Sequence, residues 1–125
     1  MATSASTFPL KTGDRIPAMQ ATLRDAAGTP VDLRSATSLI FKMRRYGTTD
    51  PTIGGTGLVA ELQPGTNTPE YRGVAWYLWD TDDTLAAGTY EGEWYVAWPD
   101  GRSAHFPNAG KDVIIIELAL PQPVA

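Results

Sequence analysis

Cysteine is absent from the 125-residue chain, which excludes disulfides and thiolate metal sites and leaves the redox compartment open. Histidine occurs once, at His105. A Ser-His-carboxylate triad would have to use it, yet its neighbours offer no Gly-x-Ser-x-Gly elbow, so a strand or loop histidine making ordinary hydrogen bonds is the plainer reading. Long apolar runs are missing too. The longest, residues 74–79, falls far short of the ~20 residues a membrane span needs. Basic charge is not in excess: the net charge is −4, and only Lys42, Arg44 and Arg45 cluster, which argues against binding a phosphate backbone. Neither nucleic acid nor membrane is an expected partner. Asp80, Asp82 and Asp83 resemble part of a calcium loop, but no register supplies both the glycine at its sixth position and the glutamate at its twelfth. A helix N-cap explains them better. Glu91 and Glu93 stand two apart on one strand face, as solvated strand residues do. No catalytic residue, metal or cofactor is expected.

Aromatic residues are plentiful, and all four tryptophans fall within residues 73–112. Val74, Trp76 and Leu78 alternate with Ala75, Tyr77 and Trp79; further on, Tyr90, Gly92, Trp94 and Val96 alternate with Glu91, Glu93 and Tyr95. Period two over such lengths marks strands whose faces meet different surroundings. Trp98-Pro99-Asp100-Gly101-Arg102 carries the chemistry of a tight reversal into a short strand at 103–106. In the first half, a strand over 16–23, a turn at 25–30 and a short strand at 31–33 form a hairpin. Residues 38–45 alternate, with Leu39, Phe41 and Met43 on one face, Ser38, Lys42 and Arg44 on the other, and Ile40 on the polar side. Residues 46–57, rich in Gly and Thr, read as a loop or sheet-edge excursion. Short strands follow at 58–62 and 71–79, then a helical turn over 80–88 capped by Asp80 or Thr81 and stopped by Gly88. The last strand, 113–118, is apolar on both faces, as suits a central strand. Roughly seven to eight strands with Gly/Pro turns and no long helix specify an all-β fold, an immunoglobulin-like antiparallel β-sandwich. It would span 12–118, between a flexible N-terminal arm (1–11) and a C-terminal tail (119–125).

So many aromatics cannot all point into one thin core. Trp76 and Trp94 are expected inside, with Tyr77, Trp79 and Tyr95 on the outward faces as a contact patch. Phe8 is an apolar knob in the arm that would anchor on a neighbouring subunit, and Tyr46 opens the 46–57 loop. These five, Phe8, Tyr46, Tyr77, Trp79 and Tyr95, are the candidate interface residues, with Lys42, Arg44 and Arg45 as a candidate rim.

The order Gly13-Asp14…Pro17, Leu23-Arg24-Asp25-Ala26-Ala27-Gly28-Thr29-Pro30-Val31-Asp32-Leu33 and Ala36-Thr37…Ile40-Phe41-Lys42-Met43-Arg44 resembles the N-terminal domain of phage baseplate upper proteins. The second half adds Gly73-Val74-Ala75-Trp76-Tyr77…Trp79…Asp82-Asp83-Thr84…Gly88-Thr89-Tyr90-Glu91…Val96…Asp100-Gly101-Arg102…Phe106-Pro107, similar to that family's succession of strand, turn, GxY and DGR…P. The likeness spans about 12–118 and lies in the order of common pieces. It implies an immunoglobulin-like sandwich that holds virion components together without enzymatic activity. A baseplate upper protein carries a long further region after this domain, whereas this sequence stops at Ala125. The expectation is therefore a small accessory subunit of tail, neck or capsid, made in the host cytoplasm and resident in the virion, in several copies on a symmetric assembly of other virion proteins. The alternative is a carbohydrate- or host-surface-binding module that presents its outward aromatics to a glycan. A small hydrolase built around His105 is a third.

Overall fold

The computed structural model describes residues 7–80, 82–107 and 112–120. Its clearest debt to sequence is the strand Ser38–Arg45, which buries Leu39, Phe41 and Met43 and turns Ile40, Lys42 and Arg44 outward. The long strand Gly88–Ala97 lies antiparallel beside it and buries Tyr90, Gly92, Trp94 and Val96 on the same side. The register sets Leu39 opposite Val96, Phe41 opposite Trp94 and Met43 opposite Gly92. Gly92 makes room for its neighbours: a Cβ there would come within 2.8 Å of the Ile114 side chain and 3.0 Å of the Phe41 ring.

In chain order the strands are β1 (Thr7–Lys11), β2 (Met19–Thr22), β3 (Ser38–Arg45), β4 (Ile53–Thr56), β5 (Leu58–Val59), β6 (Val74–Tyr77), β7 (Gly88–Ala97), β8 (Ser103–Phe106) and β9 (Asp112–Glu117). Short 3₁₀ turns cover Ala60–Leu62 and Pro69–Tyr71. One sheet runs β1-β9-β7-β3-β4, and β8 shares with β9 the edge of β7 that β3 leaves free; the facing sheet is β2-β6-β5. The two sheets pack as an all-β sandwich, and the placing of sequence-distant strands side by side is immunoglobulin-like. The sheets are antiparallel except that β1 runs parallel to β9, from Thr7 opposite Val113 to Lys11 opposite Glu117.

That pairing corrects the expectation of a free arm over residues 1–11. Thr7–Lys11 is an edge strand, because Phe8 and Leu10 alternate with polar or exposed neighbours and meet Ile114 and Ile116 on the inner face. Residues 1–6, the cap candidate Thr81 and residues 121–125 of the expected tail lie outside the described residues. Other elements are shorter than the sequence implied. The first strand covers Met19–Thr22 only, and residues 31–33 form no strand: Arg24 and Pro30 make an isolated antiparallel bridge across a turn in which the Asp25 carboxylate accepts the Ala27 and Thr29 N–H groups at 2.9 and 3.0 Å. The 46–57 excursion ends in the edge strand β4. The 98–102 reversal is as expected, with Trp98 N–H donating to the Arg102 carbonyl at 2.9 Å.

The core is aromatic and joins the sheets. Phe41 sits at its centre, with ring centroids of Trp94 at 5.0 Å, Tyr77 at 5.3 Å and Trp79 edge-on at 5.8 Å. Such contacts add roughly 0.5–1.5 kcal/mol per pair beyond area burial. This reverses the faces expected for β6: Tyr77 and Trp79 are 5% and 2% exposed, while Trp76 turns outward and is only half-buried. The cause is visible in the polar tips. Both faces of 74–79 are apolar, so alternation alone could not choose between them. Inside, the Tyr77 hydroxyl reaches Asp83 and Trp79 Nε1 donates to the Pro17 carbonyl at 3.0 Å; outside, Trp76 Nε1 donates to Gln20 at 2.9 Å. Among the described residues, Trp94 Nε1 is the one buried side-chain polar atom without a hydrogen-bond partner.

Candidate interaction surfaces

Residues 82–86 form turns and bends rather than a helix, and the Asp83 side chain ties them to the strand before. The Asp83 carboxylate accepts the Asp80 N–H at 2.8 Å and the Tyr77 hydroxyl at 2.5 Å. Burial, and then the hydrogen bond to Asp83 and its charge, push the Tyr77 phenol well above its ordinary value of 10.0. Thr84, fully buried, donates from Oγ1 to the Asp14 carbonyl at 2.8 Å, and Gly13 N–H donates to the Thr84 carbonyl at 2.9 Å. Arg15 Nε donates to the Trp79 carbonyl at 3.3 Å. Asp83 thus braces the segment after β6, and Thr84 and Arg15 clasp it to the segment after β1.

Further hydrogen bonds at this end of the sandwich gather the neighbouring chain segments, and apolar side chains with them. Arg45 Nη1 donates to the Ala87 carbonyl and Tyr46 N–H to the Thr89 carbonyl, bringing the end of β3 there; Thr12 N–H donates to the Glu117 carbonyl and Ala119 N–H to Thr12 Oγ1, bringing the end of β9. Ile16, Tyr46, Leu78, Leu85, Leu118 and Leu120 all lie in these segments, and each is more than half exposed. They are six of the eight large apolar side chains exposed among the described residues. Scattered single exposures are ordinary, but a concentration at one end is the mark of a contact surface.

The outer face of the larger sheet is different in kind. Lys42 stands opposite Glu93 with Nζ 3.8 Å from Oε1, and Arg44 opposite Glu91 with Nε 3.3 Å from Oε1. Next along, Ile40 stands opposite Tyr95, whose ring centroid is 5.0 Å from that of His105 and 6.0 Å from Lys42 Nζ. Beside the charge rows lies a shallow depression of ≈ 180 Å³ lined by Lys42, Met43, Arg44, Thr52, Glu91 and Glu93, smaller than the ~300–1,000 Å³ of usual small-molecule sites.

The five candidate interface residues do not form one surface. Tyr77 and Trp79 belong to the core, which corrects their outward placement. Phe8, half-buried in β1, packs its ring 6.2 Å from Trp79 and so is part of the sandwich rather than a free anchor. Tyr95 is outward on β7, as expected, and Tyr46 is exposed at the apolar end. Ile16, Leu78, Leu85, Leu118 and Leu120 were not anticipated there. Their signal was present as large apolar residues beside turn residues or beyond strand ends, such as Ile16 before Pro17 and Leu85 after Asp83-Thr84. Among the described residues no cluster of three His, Cys, Asp or Glu side chains has metal-holding geometry, and no helix is long and apolar enough to cross a membrane. No family model matches the chain, and no curated protein matches its sequence.

Proposed function

We propose that this chain is a structural subunit of a bacteriophage particle, an accessory piece of tail, neck or capsid that attaches to a larger symmetric assembly by protein–protein contact and performs no chemistry. The observation that carries the reading is the apolar end. Six large side chains gathered in solvent at one end of the sandwich are costly in a free monomer and useful when covered by a protein neighbour. The phage setting rests on the resemblance of the motif order to that of baseplate upper proteins, and the immunoglobulin-like sandwich is the fold that resemblance implies. A glycan-binding module is supported less, since the outward aromatics of the two sheets are split between opposite faces, half-buried Tyr95 with exposed His105 on one and half-buried Trp76 with Tyr71 on the other.

The test is occupancy of purified particles from cells expressing the gene, measured by quantitative mass spectrometry for the parent chain and for Leu78→Asp/Leu85→Asp. Both sites are already in solvent, so the variant should fold as the parent does while its occupancy falls at least tenfold, in line with the ~2 kcal/mol or more that a central contact residue contributes. Absence of the parent chain from particles, together with glycan binding that is lost in Tyr95→Ala, would replace the structural reading with the alternative.

A further inference from the structure

The outer face of the larger sheet carries a charge pattern that is complementary to itself. β3 presents the cations Lys42 and Arg44, and β7 presents Glu93 and Glu91 directly across from them, level by level. At the next outward level, Ile40 of β3 faces Tyr95 of β7. Consider a two-fold axis running along the strands midway between β3 and β7, with a second copy laid face to face on the first. Each β3 then lies over the partner's β7 at unchanged level. Lys42 of one copy stands over Glu93 of the other, Arg44 over Glu91, and Ile40 over the Tyr95 ring. The operation generates every contact twice, as an isologous interface requires. Face-to-face sheets with aligned strands are an ordinary packing, with their planes ~10 Å apart.

We propose that this face is a homodimer interface, the partner being a second copy of the chain docked through the β3 and β7 outer rows. The charge rows exclude the reversed docking, because an axis across the strands lays β3 over β3 and β7 over β7 and so sets Lys42 over Arg44 and Glu93 over Glu91, like charge on like. The apolar contact comes from Ile40 and Tyr95. It also accounts for Ile40, the one apolar residue of β3 that the sandwich leaves facing solvent at 37% exposure. Over His105 the second copy's β4 sets only the small outward residues Gly54 and Thr56, leaving room beside the Ile40–Tyr95 contact. The dimer face is separate from the apolar end, and either reading can fail without the other.

The test is sedimentation equilibrium of the full chain and of two single variants, Lys42→Glu and Glu93→Lys. Exposed ion pairs contribute little to folding, so both variants should fold. The parent should self-associate with concentration. Each variant alone places like charges face to face across the axis and should dimerise at least roughly tenfold more weakly than the parent. Mixed in equal amounts, the two should form a 1:1 heterodimer. The carboxylate introduced in the first variant then meets the ammonium introduced in the second, while the unchanged Glu93 of the first meets the unchanged Lys42 of the second. A monomeric parent at millimolar concentration would overturn the proposal. So would variants that dimerise as the parent does, or a mixture that stays monomeric.

Discussion

Replacing Asp83 by alanine tests the buried pair that braces the segment after β6 beside the apolar end. In the parent the carboxylate accepts two donors, the buried Tyr77 hydroxyl and the Asp80 N–H. Alanine leaves the hydroxyl with no partner inside the core. A buried donor stranded in this way costs ~1–3 kcal/mol, and a hydrogen bond to a charged acceptor contributes ~1.5–3 kcal/mol, so Asp83→Ala should lose about 2–4 kcal/mol. Tyr77→Phe removes the hydroxyl and leaves the ring in place against Phe41 and Trp79, so in the double variant nothing is stranded. The double variant should be less destabilised than the sum of the singles, with a coupling of ~1–2 kcal/mol. Urea denaturation of the four proteins at neutral pH measures this. The same pair predicts a pH dependence. The Tyr77 phenol ionises above its ordinary value of 10.0 in the folded protein, so the unfolded chain releases its proton first as pH rises. The stabilisation is fully present below pH 10.0 and is lost as pH climbs above it toward the folded value. The parent should therefore lose stability more steeply above that pH than Tyr77→Phe does. Additive single variants, or identical alkaline slopes for parent and Tyr77→Phe, would refute the assignment of Asp83 and Tyr77 as a buried pair.

Trp94→Ala should cost ~3–5 kcal/mol, because its fully buried side chain packs on Phe41 at the centre of the core. A thermal midpoint within a few degrees of the parent would contradict that burial. Gly54→Ala should destabilise by about 1–3 kcal/mol, since Gly54 holds φ at +139° and a Cβ there would collide with the Phe41 carbonyl oxygen. Equal denaturation midpoints for Gly54→Ala and the parent would show that the β4 edge can shift freely.

Much of the larger sheet was legible in the sequence, and for a single reason. In residues 38–45 and 88–97 one alternate set is polar, so periodicity alone names the inner face, and the structure places Leu39, Phe41, Trp94 and Val96 there. β6 defeated the same logic because Trp76 and Leu78 on one face are as apolar as Tyr77 and Trp79 on the other. The choice was made by hydrogen-bond partners far away in the chain, Pro17 for Trp79 and Gln20 for Trp76, and by Asp83, which reads locally as a helix cap. Phe8 was misread for a related reason: a lone apolar triplet after a Ser/Thr stretch has no periodicity to show, and its strand exists only because β9 offers an edge. The apolar end was not legible either, since its six residues come from four segments that only the completed fold brings together.

The parallel pairing of β1 with β9 determines how the domain responds to tension. Thr7 enters the ladder at one end of the sandwich and Glu117 leaves it at the other. A pull that separates the two ends of the chain draws these strands past each other along their length, so the rungs of the ladder share the load and must yield together. A hairpin pulled from its two open ends would instead peel one rung at a time. Stretching the domain by its two ends therefore loads this ladder in shear, and its rupture should need a higher force than unzipping a hairpin of equal length.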